Sequence, residues 1–124
     1  MLRKILIVED DTSLQKVLMT KFKKENFSVL IAHDGVEGLE LAKKDIPDII
    51  LLDIIMPKMD GLTMLSLLRR EEWGKNIPVI MLSNLSDSAK VSQATKDGVC
   101  DFLIKSDWHL DDVVMKVRER LGDK

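Results

Sequence analysis

Two hydrophobic patterns alternate along the chain. One consists of short runs that are apolar at nearly every position: Ile5–Val8, Val29–Ala32, Ile49–Leu52, Val79–Leu82 and Phe102–Ile104. Strands that are apolar on both faces are typical of a parallel sheet that helices cover on both sides. These runs therefore predict five buried, parallel strands.

The second pattern lies between the strands and has helical spacing. Apolar residues three or four positions apart define one face of each predicted helix: Leu14, Val17, Leu18 and Phe22; Val36 and Leu39; Leu62, Leu65 and Leu68; Ala89 and Val91–Ala94; and Leu110, Val113, Val114, Val117 and Leu121. Strands that alternate with helices form right-handed crossovers. The chain is therefore predicted to adopt a (βα)5 α/β fold with a doubly wound, parallel five-stranded sheet.

Composition narrows the class of protein without adding a function. The 124 residues suit one domain, and we expect residues 1–124 to form a single domain without an output domain. A net charge of −2 gives no basic surface for nucleic acid, and no apolar run approaches the roughly 18 residues that a membrane span needs. Cys100 is the single cysteine, which suits a reducing compartment. We therefore expect a cytoplasmic protein.

Acidic residues follow two of the predicted strands. Glu9 and Asp10 come directly after the first strand, and Asp53 comes directly after the third. Neighbouring carboxylates at the end of a buried strand repel one another and lose hydration, so such an arrangement is costly without a use. If the two strands are neighbours, the three carboxylates converge at one edge of the sheet. Converging oxygens suit Mg²⁺, which completes its coordination with water and phosphate oxygens.

Two further polar residues fall at equivalent positions of later units. Ser83 follows the fourth strand, and Lys105 follows the fifth. Ligands of doubly wound sheets bind outside the carboxyl ends of the strands. Taken singly, a strand-end Asp is often a turn cap, a Ser a turn residue and a Lys a solvated side chain. The combination of acid, hydroxyl and ammonium groups at one edge favours phosphate chemistry.

Four segments together resemble the receiver domain of bacterial two-component response regulators, in the stand-alone form found in chemotaxis. They are Ile5–Asp11, Asp48–Gly61 with its Met-Pro and Asp-Gly dipeptides, Pro78–Ser83 and Asp101–Lys105. The resemblance extends from Lys4 to Leu121. It implies a flavodoxin-like sheet with strand order 2-1-3-4-5, and a protein that is no conventional enzyme but catalyses its own phosphorylation and dephosphorylation.

The resemblance also assigns the acidic residues. Asp53 is implied to be the phosphoacceptor, which takes a phosphoryl group from the phosphohistidine of a sensor histidine kinase or a phosphotransfer protein. Asp10 and Asp53 are implied to bind Mg²⁺ directly, and Glu9 through water. The backbone carbonyl of Ile55 is implied to be a further ligand.

The other implied roles concern stabilisation of charge and switching. Lys105 and Mg²⁺ are implied to neutralise charge on the transferring oxygens. The Ser83 hydroxyl is implied to bind a phosphoryl oxygen and to move towards it. Phe102 is implied to turn inward into the space that Ser83 leaves, although its position equally fits a residue of the strand core.

Signalling is implied to use the face formed by the fourth helix, the fifth strand and the fifth helix. Its candidate contacts to a downstream protein are Lys90, Asp101, Trp108 and Arg118. We expect no direct contact with nucleic acid or membrane.

Three positions depart from the usual receiver pattern. Ser106 stands where a cis-proline is usual, Asn84 stands where a smaller residue is usual, and Phe102 stands where tyrosine is frequent. A cis bond before a residue other than proline costs about 2.5–4 kcal/mol, so we predict a trans bond between Lys105 and Ser106. No departure removes a group that the proposed chemistry needs.

Three other functions share some of these features. A flavodoxin-type flavin protein needs a hydroxyl-rich loop after the first strand, where this chain has Glu9-Asp10-Asp11. A haloacid-dehalogenase-type phosphatase needs a general acid two residues after its nucleophile, and Ile55 occupies that position. A degenerate receiver that only binds partners remains the third alternative, which labelling with acetyl phosphate distinguishes.

Overall fold

The structure, a computed structural model, describes residues 2–83, 101–104 and 109–122 of the chain. Its strands are β1 (Arg3–Val8), β2 (Phe27–Ala32), β3 (Ile49–Asp53), β4 (Val79–Ser83) and β5 (Asp101–Ile104). Its helices are α1 (Thr12–Lys24), α2 (Gly35–Asp45), α3 (Gly61–Arg70) and the C-terminal helix (Leu110–Leu121). The helix predicted around Ala89 lies outside the described residues.

The strands form one parallel sheet in the order β2-β1-β3-β4-β5. This order confirms the predicted fold. The chain first moves outward from β1 to β2, then crosses back to β3 on the other side of β1, so the order reverses between β1 and β3. Val8 pairs with Leu52, which brings the residues after both strands to the same edge. Ligands bind at such a switch point in doubly wound sheets.

The sheet has a hydrophobic core on each face. Leu6 and Val8 point into the core shared with α2 and α3, whereas Ile5 and Ile7 point into the core shared with α1 and the C-terminal helix. All four side chains are fully buried. Alternate side chains of one strand thus serve opposite cores, which explains why the strand sequences are continuously apolar.

Two predicted core positions are wrong. Val17 and Val36 are exposed, at 45% and 39% of their surface. On α2 the buried positions are instead Gly35, Gly38 and Ala42. Small residues let this helix approach the sheet closely, and an added Cβ at Gly38 would lie only 3.0 Å from Val8. On α1 Gln15 is buried, and its side-chain amide donates a hydrogen bond to the backbone carbonyl of Glu9, which offsets the lost hydration.

Aspartates begin the first three helices. Asp11 accepts hydrogen bonds from the backbone N–H groups of Ser13 and Leu14, so it is the N-cap of α1. Asp60 caps α3, because its side chain accepts a hydrogen bond from the Thr63 backbone N–H at 2.8 Å. Such caps satisfy backbone donors that a helix leaves unpaired. Over the residues described, none of the helices has the length and apolar composition for crossing a membrane.

Candidate functional site

The carboxylates of Glu9, Asp10 and Asp53 meet at the carboxyl edge of the sheet. One oxygen from each lies within 4.8 Å of the others. Glu9 and Asp10 follow β1, and Asp53 is the last residue of the neighbouring β3. The predicted convergence is therefore confirmed.

Two of these three carboxylates are buried. Glu9 is fully buried and Asp53 is 6% exposed, whereas Asp10 is exposed. Backbone N–H groups support both buried carboxylates: Asp11 donates to Glu9 Oε2 at 3.2 Å, and Ile54 donates to Asp53 Oδ1 at 2.9 Å. Buried negative charges at this separation repel one another, and a divalent cation between them offsets that repulsion. The donor set of hard oxygens fits Mg²⁺.

The backbone of Glu9 is held on both sides. Its N–H donates to the carbonyl of Ala32 at 3.0 Å, which extends the pairing with β2 by one residue. Its carbonyl accepts the hydrogen bond from the buried side chain of Gln15. These contacts fix the end of β1 before the chain turns into α1, and so they orient the Glu9 carboxylate.

The loop between β3 and α3 begins at the phosphoacceptor candidate. Ile54 is buried, whereas Ile55 is 53% exposed. The Gly61 N–H donates to the Ile54 carbonyl at 2.8 Å, so the two ends of the loop are joined. An added Cβ at Gly61 would lie 2.0 Å from the Asp53 carbonyl oxygen. Only glycine permits this approach, which gives the Asp-Gly dipeptide at the start of α3 a structural reason.

The remaining predicted site residues lie at the ends of β4 and β5. Ser83 ends β4 next to the end of β3, and its backbone pairs with that of Ile104. Its side chain lies outside what the structure describes, as do Lys105 and the bond between Lys105 and Ser106. Phe102 is 44% exposed, so the alternative that it belongs to the strand core is wrong.

Arg118, a predicted contact of the signalling face, packs against other parts of the chain. Arg118 donates to the backbone carbonyl of Glu25 at 3.1 Å and lies 5.6 Å from the ring centroid of Phe27. Its guanidinium therefore ties the C-terminal helix to the junction of α1 and β2, whereas the proposed signalling face lies at β5, the opposite edge of the sheet. Lys90, Trp108 and the side chain of Asp101 lie outside the described residues.

Sequence reasoning missed the contacts between this loop and the start of α2. Asp34 is buried and caps α2, and its Oδ2 lies 3.8 Å from Lys58 Nζ. The Gly35 N–H donates to the Met59 carbonyl at 3.1 Å. The Asp-Gly dipeptide after β2 signals a turn, but no sequence signal pairs it with a loop more than twenty residues away.

Known proteins share this sequence and this fold. The family model for the response regulator receiver domain matches residues 5–118. The response regulator PleD of Caulobacter vibrioides is 37% identical over 117 residues, which are 94% of this chain and 25% of PleD. The chain spans between a quarter and about half of the length of the curated relatives it matches.

Two solved structures superimpose closely on the chain. A response regulator described as putative from Chloroflexus aurantiacus has a TM-score of 0.91 at 26% identity, over 98% of this chain and 99% of that one. The receiver domain of the Francisella response regulator 1452 has a TM-score of 0.87 at 31% identity, over 97% of each chain.

Proposed function

The chain belongs to the response regulator receiver domain family, whose members act in phosphorelay signalling, and we propose that Asp53 is its phosphoacceptor. The observation that carries this proposal is the placement of Asp53. It is buried at the carboxyl end of a central strand, and the carboxylates of Glu9 and Asp10 lie within 4.8 Å of its own. No other part of the described chain combines these features.

The proposed reaction is a phosphoryl transfer from nitrogen to oxygen. A carboxylate oxygen of Asp53 attacks the phosphorus of a phosphohistidine, the P–N bond breaks, and the histidine nitrogen keeps the electron pair of that bond. The product is an acyl phosphate on Asp53. The backbone N–H of Ile54 holds Asp53 Oδ1, which supports the view that the other carboxylate oxygen is the nucleophile.

Glu9, Asp10, Asp53 and the backbone carbonyl of Ile55 would hold Mg²⁺. A bound Mg²⁺ supplies positive charge beside the transferring oxygens, which is the chief requirement of phosphoryl transfer. The protein provides oxygen ligands on a rigid sheet edge: the backbone contacts of Glu9 fix one side, and the closed loop after Asp53 fixes the other.

Lys105 and Ser83 are proposed to complete the site from the neighbouring strands. The ammonium group of Lys105 would pair with a phosphoryl oxygen, and the Ser83 hydroxyl would donate to another. The position of Ser83 at the end of β4, next to β3, supports this assignment.

The output is proposed to be a shift between two conformations. Phosphorylation favours the state in which Ser83 approaches the phosphoryl group and Phe102 turns inward; the 44% exposure of Phe102 supports an outward starting position. The face around β5 and the C-terminal helix then changes its affinity for a downstream protein. The donor is a sensor histidine kinase or phosphotransfer protein, and the setting is the cytoplasm.

Labelling with acetyl phosphate and Mg²⁺ tests the proposal. Intact-mass spectrometry should show one phosphoryl group on the wild type and none on Asp53→Asn. Asp60→Asn is the matched control, because it makes the same chemical change in the same loop and asparagine still caps a helix. It should be labelled like the wild type. The assignment would be contradicted if both variants lost labelling, or if Asp53→Asn were still labelled.

A further inference from the structure

We propose that the start of α2 positions the loop 54–60, and that Asp34 and Gly35 are positioning residues for Mg²⁺ binding. This inference rests on the proposed function, because the loop matters through the Ile55 carbonyl and through Asp53, which precedes it. It goes beyond that function by adding a helix that contributes no ligand.

The first contact is a direct backbone bond. The Gly35 N–H donates to the Met59 carbonyl oxygen at 3.1 Å. An added Cβ at Gly35 would lie 2.5 Å from that oxygen and 2.9 Å from the Cβ of Met59. The loop therefore rests on the first turn of α2 with no room for a side chain between them. A larger residue at position 35 has to push Met59 away.

The second contact lies beside a strained turn. Lys58 has a φ of +65°, and the Met59 N–H donates to the Pro57 carbonyl at 2.7 Å. A three-residue turn with positive φ is rare and strained, and a residue other than glycine keeps it only when its surroundings hold it there. The carboxylate of Asp34 faces this turn, with Oδ2 3.8 Å from Lys58 Nζ.

Asp34 is itself held in place. It is 7% exposed, and its Oδ1 accepts the backbone N–H of Glu37 at 2.9 Å. One carboxylate thus caps α2 with one oxygen and faces the loop with the other. Asp34 therefore links the start of α2 to the residue at the strained turn.

The loop 54–60 adjoins the proposed metal site directly. Its first residue, Ile54, donates to Asp53 Oδ1, and the Ile54 carbonyl accepts the Gly61 N–H. With both ends fixed, a displacement of Met59 has to be absorbed between them, where Ile55 lies. Groups that orient metal ligands typically change metal affinity by about 10- to 100-fold when they are lost.

Two glycines of α2 provide a matched test. Gly35→Ala forces a side chain against the Met59 carbonyl, whereas Gly38→Ala crowds the side chains of Met64 and Val8 at 3.0 Å without meeting the loop. Isothermal titration gives the Mg²⁺ dissociation constant, and thermal unfolding without Mg²⁺ gives the stability. Both variants should be less stable than wild type. Only Gly35→Ala should raise the dissociation constant, by about tenfold or more.

Lys58→Ala tests the same idea, because the proposal and simple electrostatics predict opposite changes in Mg²⁺ affinity for this variant. It removes a positive charge from the loop, so electrostatics alone would make Mg²⁺ bind more tightly. Loss of the contact with Asp34 should instead weaken binding, by up to about fivefold, because Lys58 is 73% exposed and such ion pairs are weak. This variant also decides the matter if Gly35→Ala does not fold.

The outcomes separate this inference from the proposed function. Equal Mg²⁺ dissociation constants for the two glycine variants would overturn the role of α2. If Gly35→Ala does not fold, unchanged or tighter Mg²⁺ binding by Lys58→Ala would overturn it. In both cases the metal site itself would stand. A wild-type protein that bound no Mg²⁺ would overturn the metal site and this inference together.

Discussion

Gly61 lies against the backbone of Asp53, so closely that an added Cβ would be 2.0 Å from the Asp53 carbonyl oxygen. The contact joins the first residue of α3 to the last residue of β3. Because both contacting groups belong to the backbone, neither side can move without displacing the site.

Gly61→Ala should therefore damage both stability and phosphorylation. Overpacking costs about 1–3 kcal/mol, and we expect about 2 kcal/mol of lost unfolding free energy even though alanine favours a helix. Urea denaturation and the rate of acetyl-phosphate labelling measure the two effects. Ser66→Ala, at an exposed position of the same helix, should change stability by less than about 0.5 kcal/mol. Normal labelling of Gly61→Ala would show that the contact does not shape the site.

Mg²⁺ should stabilise the protein through the three clustered carboxylates. A ligand that binds only the native state at 100 times its dissociation constant adds about 2.7 kcal/mol, which raises the melting temperature by several degrees. Asp10→Ala should abolish this rise. Asp11→Asn, which also removes an acid but retains a helix cap, should keep it. An equal rise in wild type and Asp10→Ala would place the metal elsewhere.

Phosphorylated Asp53 should lose its phosphate slowly. Hydrolysis needs a water in line with the phosphorus–oxygen bond. We expect the side chains of Ile55 and of Leu85, which lies outside the described residues, to flank that path. Neither side chain binds water or acts as a base, and Ile55 is 53% exposed beside the site. Placement of water by a polar group is worth roughly 10²- to 10⁴-fold in favourable cases. The double variant Ile55→Asn with Leu85→Glu should lose phosphate faster than wild type, and intact-mass spectrometry over time measures that loss. A double variant with the wild-type rate would exclude control by these side chains.

The ion pair between Lys21 and Asp111 should make a small contribution that depends on pH. Their charged groups are 2.6 Å apart and join α1 to the C-terminal helix. The hydrogen bond from Lys21 lowers the pKa of Asp111, and the bond to Asp111 raises the pKa of Lys21. The contribution is therefore present at neutral pH. It is lost in acid, as the pH falls through the lowered pKa of Asp111 below 3.8, and in strong base, as the pH rises through the raised pKa of Lys21 above 10.5.

A double-mutant cycle with Lys21→Met and Asp111→Asn measures this coupling. The coupling free energy should be favourable at pH 7, and small because Asp111 is 83% exposed. It should vanish in acid, once Asp111 is protonated. A coupling that persisted in acid would contradict the pair's ionic character.

The sheet was predictable because its strands carry their own signal. Runs such as Ile5–Val8 are apolar on both faces, and this pattern is typical of a parallel sheet that helices cover on both sides. The site followed from the same logic, since Glu9, Asp10 and Asp53 stand at ends of neighbouring strands.

Tertiary contacts account for what the sequence pattern predicted wrongly. Val36 has the helical spacing of a core residue, yet glycines face the sheet because the helix lies too close for larger side chains. Arg118 was expected at a signalling face, but it packs on Phe27 and bonds to Glu25, residues that are distant in sequence. The positive φ of Lys58 was not predicted, because no local sequence pattern marks that residue.

The location of the phosphoryl group tests the central claim most directly. After labelling with acetyl phosphate, borohydride reduces an acyl phosphate on aspartate to homoserine, and peptide mass spectrometry then identifies the converted residue. The account predicts homoserine at position 53 of the wild type, with Glu9, Asp10 and Asp60 unchanged. Conversion at another residue, or labelling that borohydride does not convert, would contradict it.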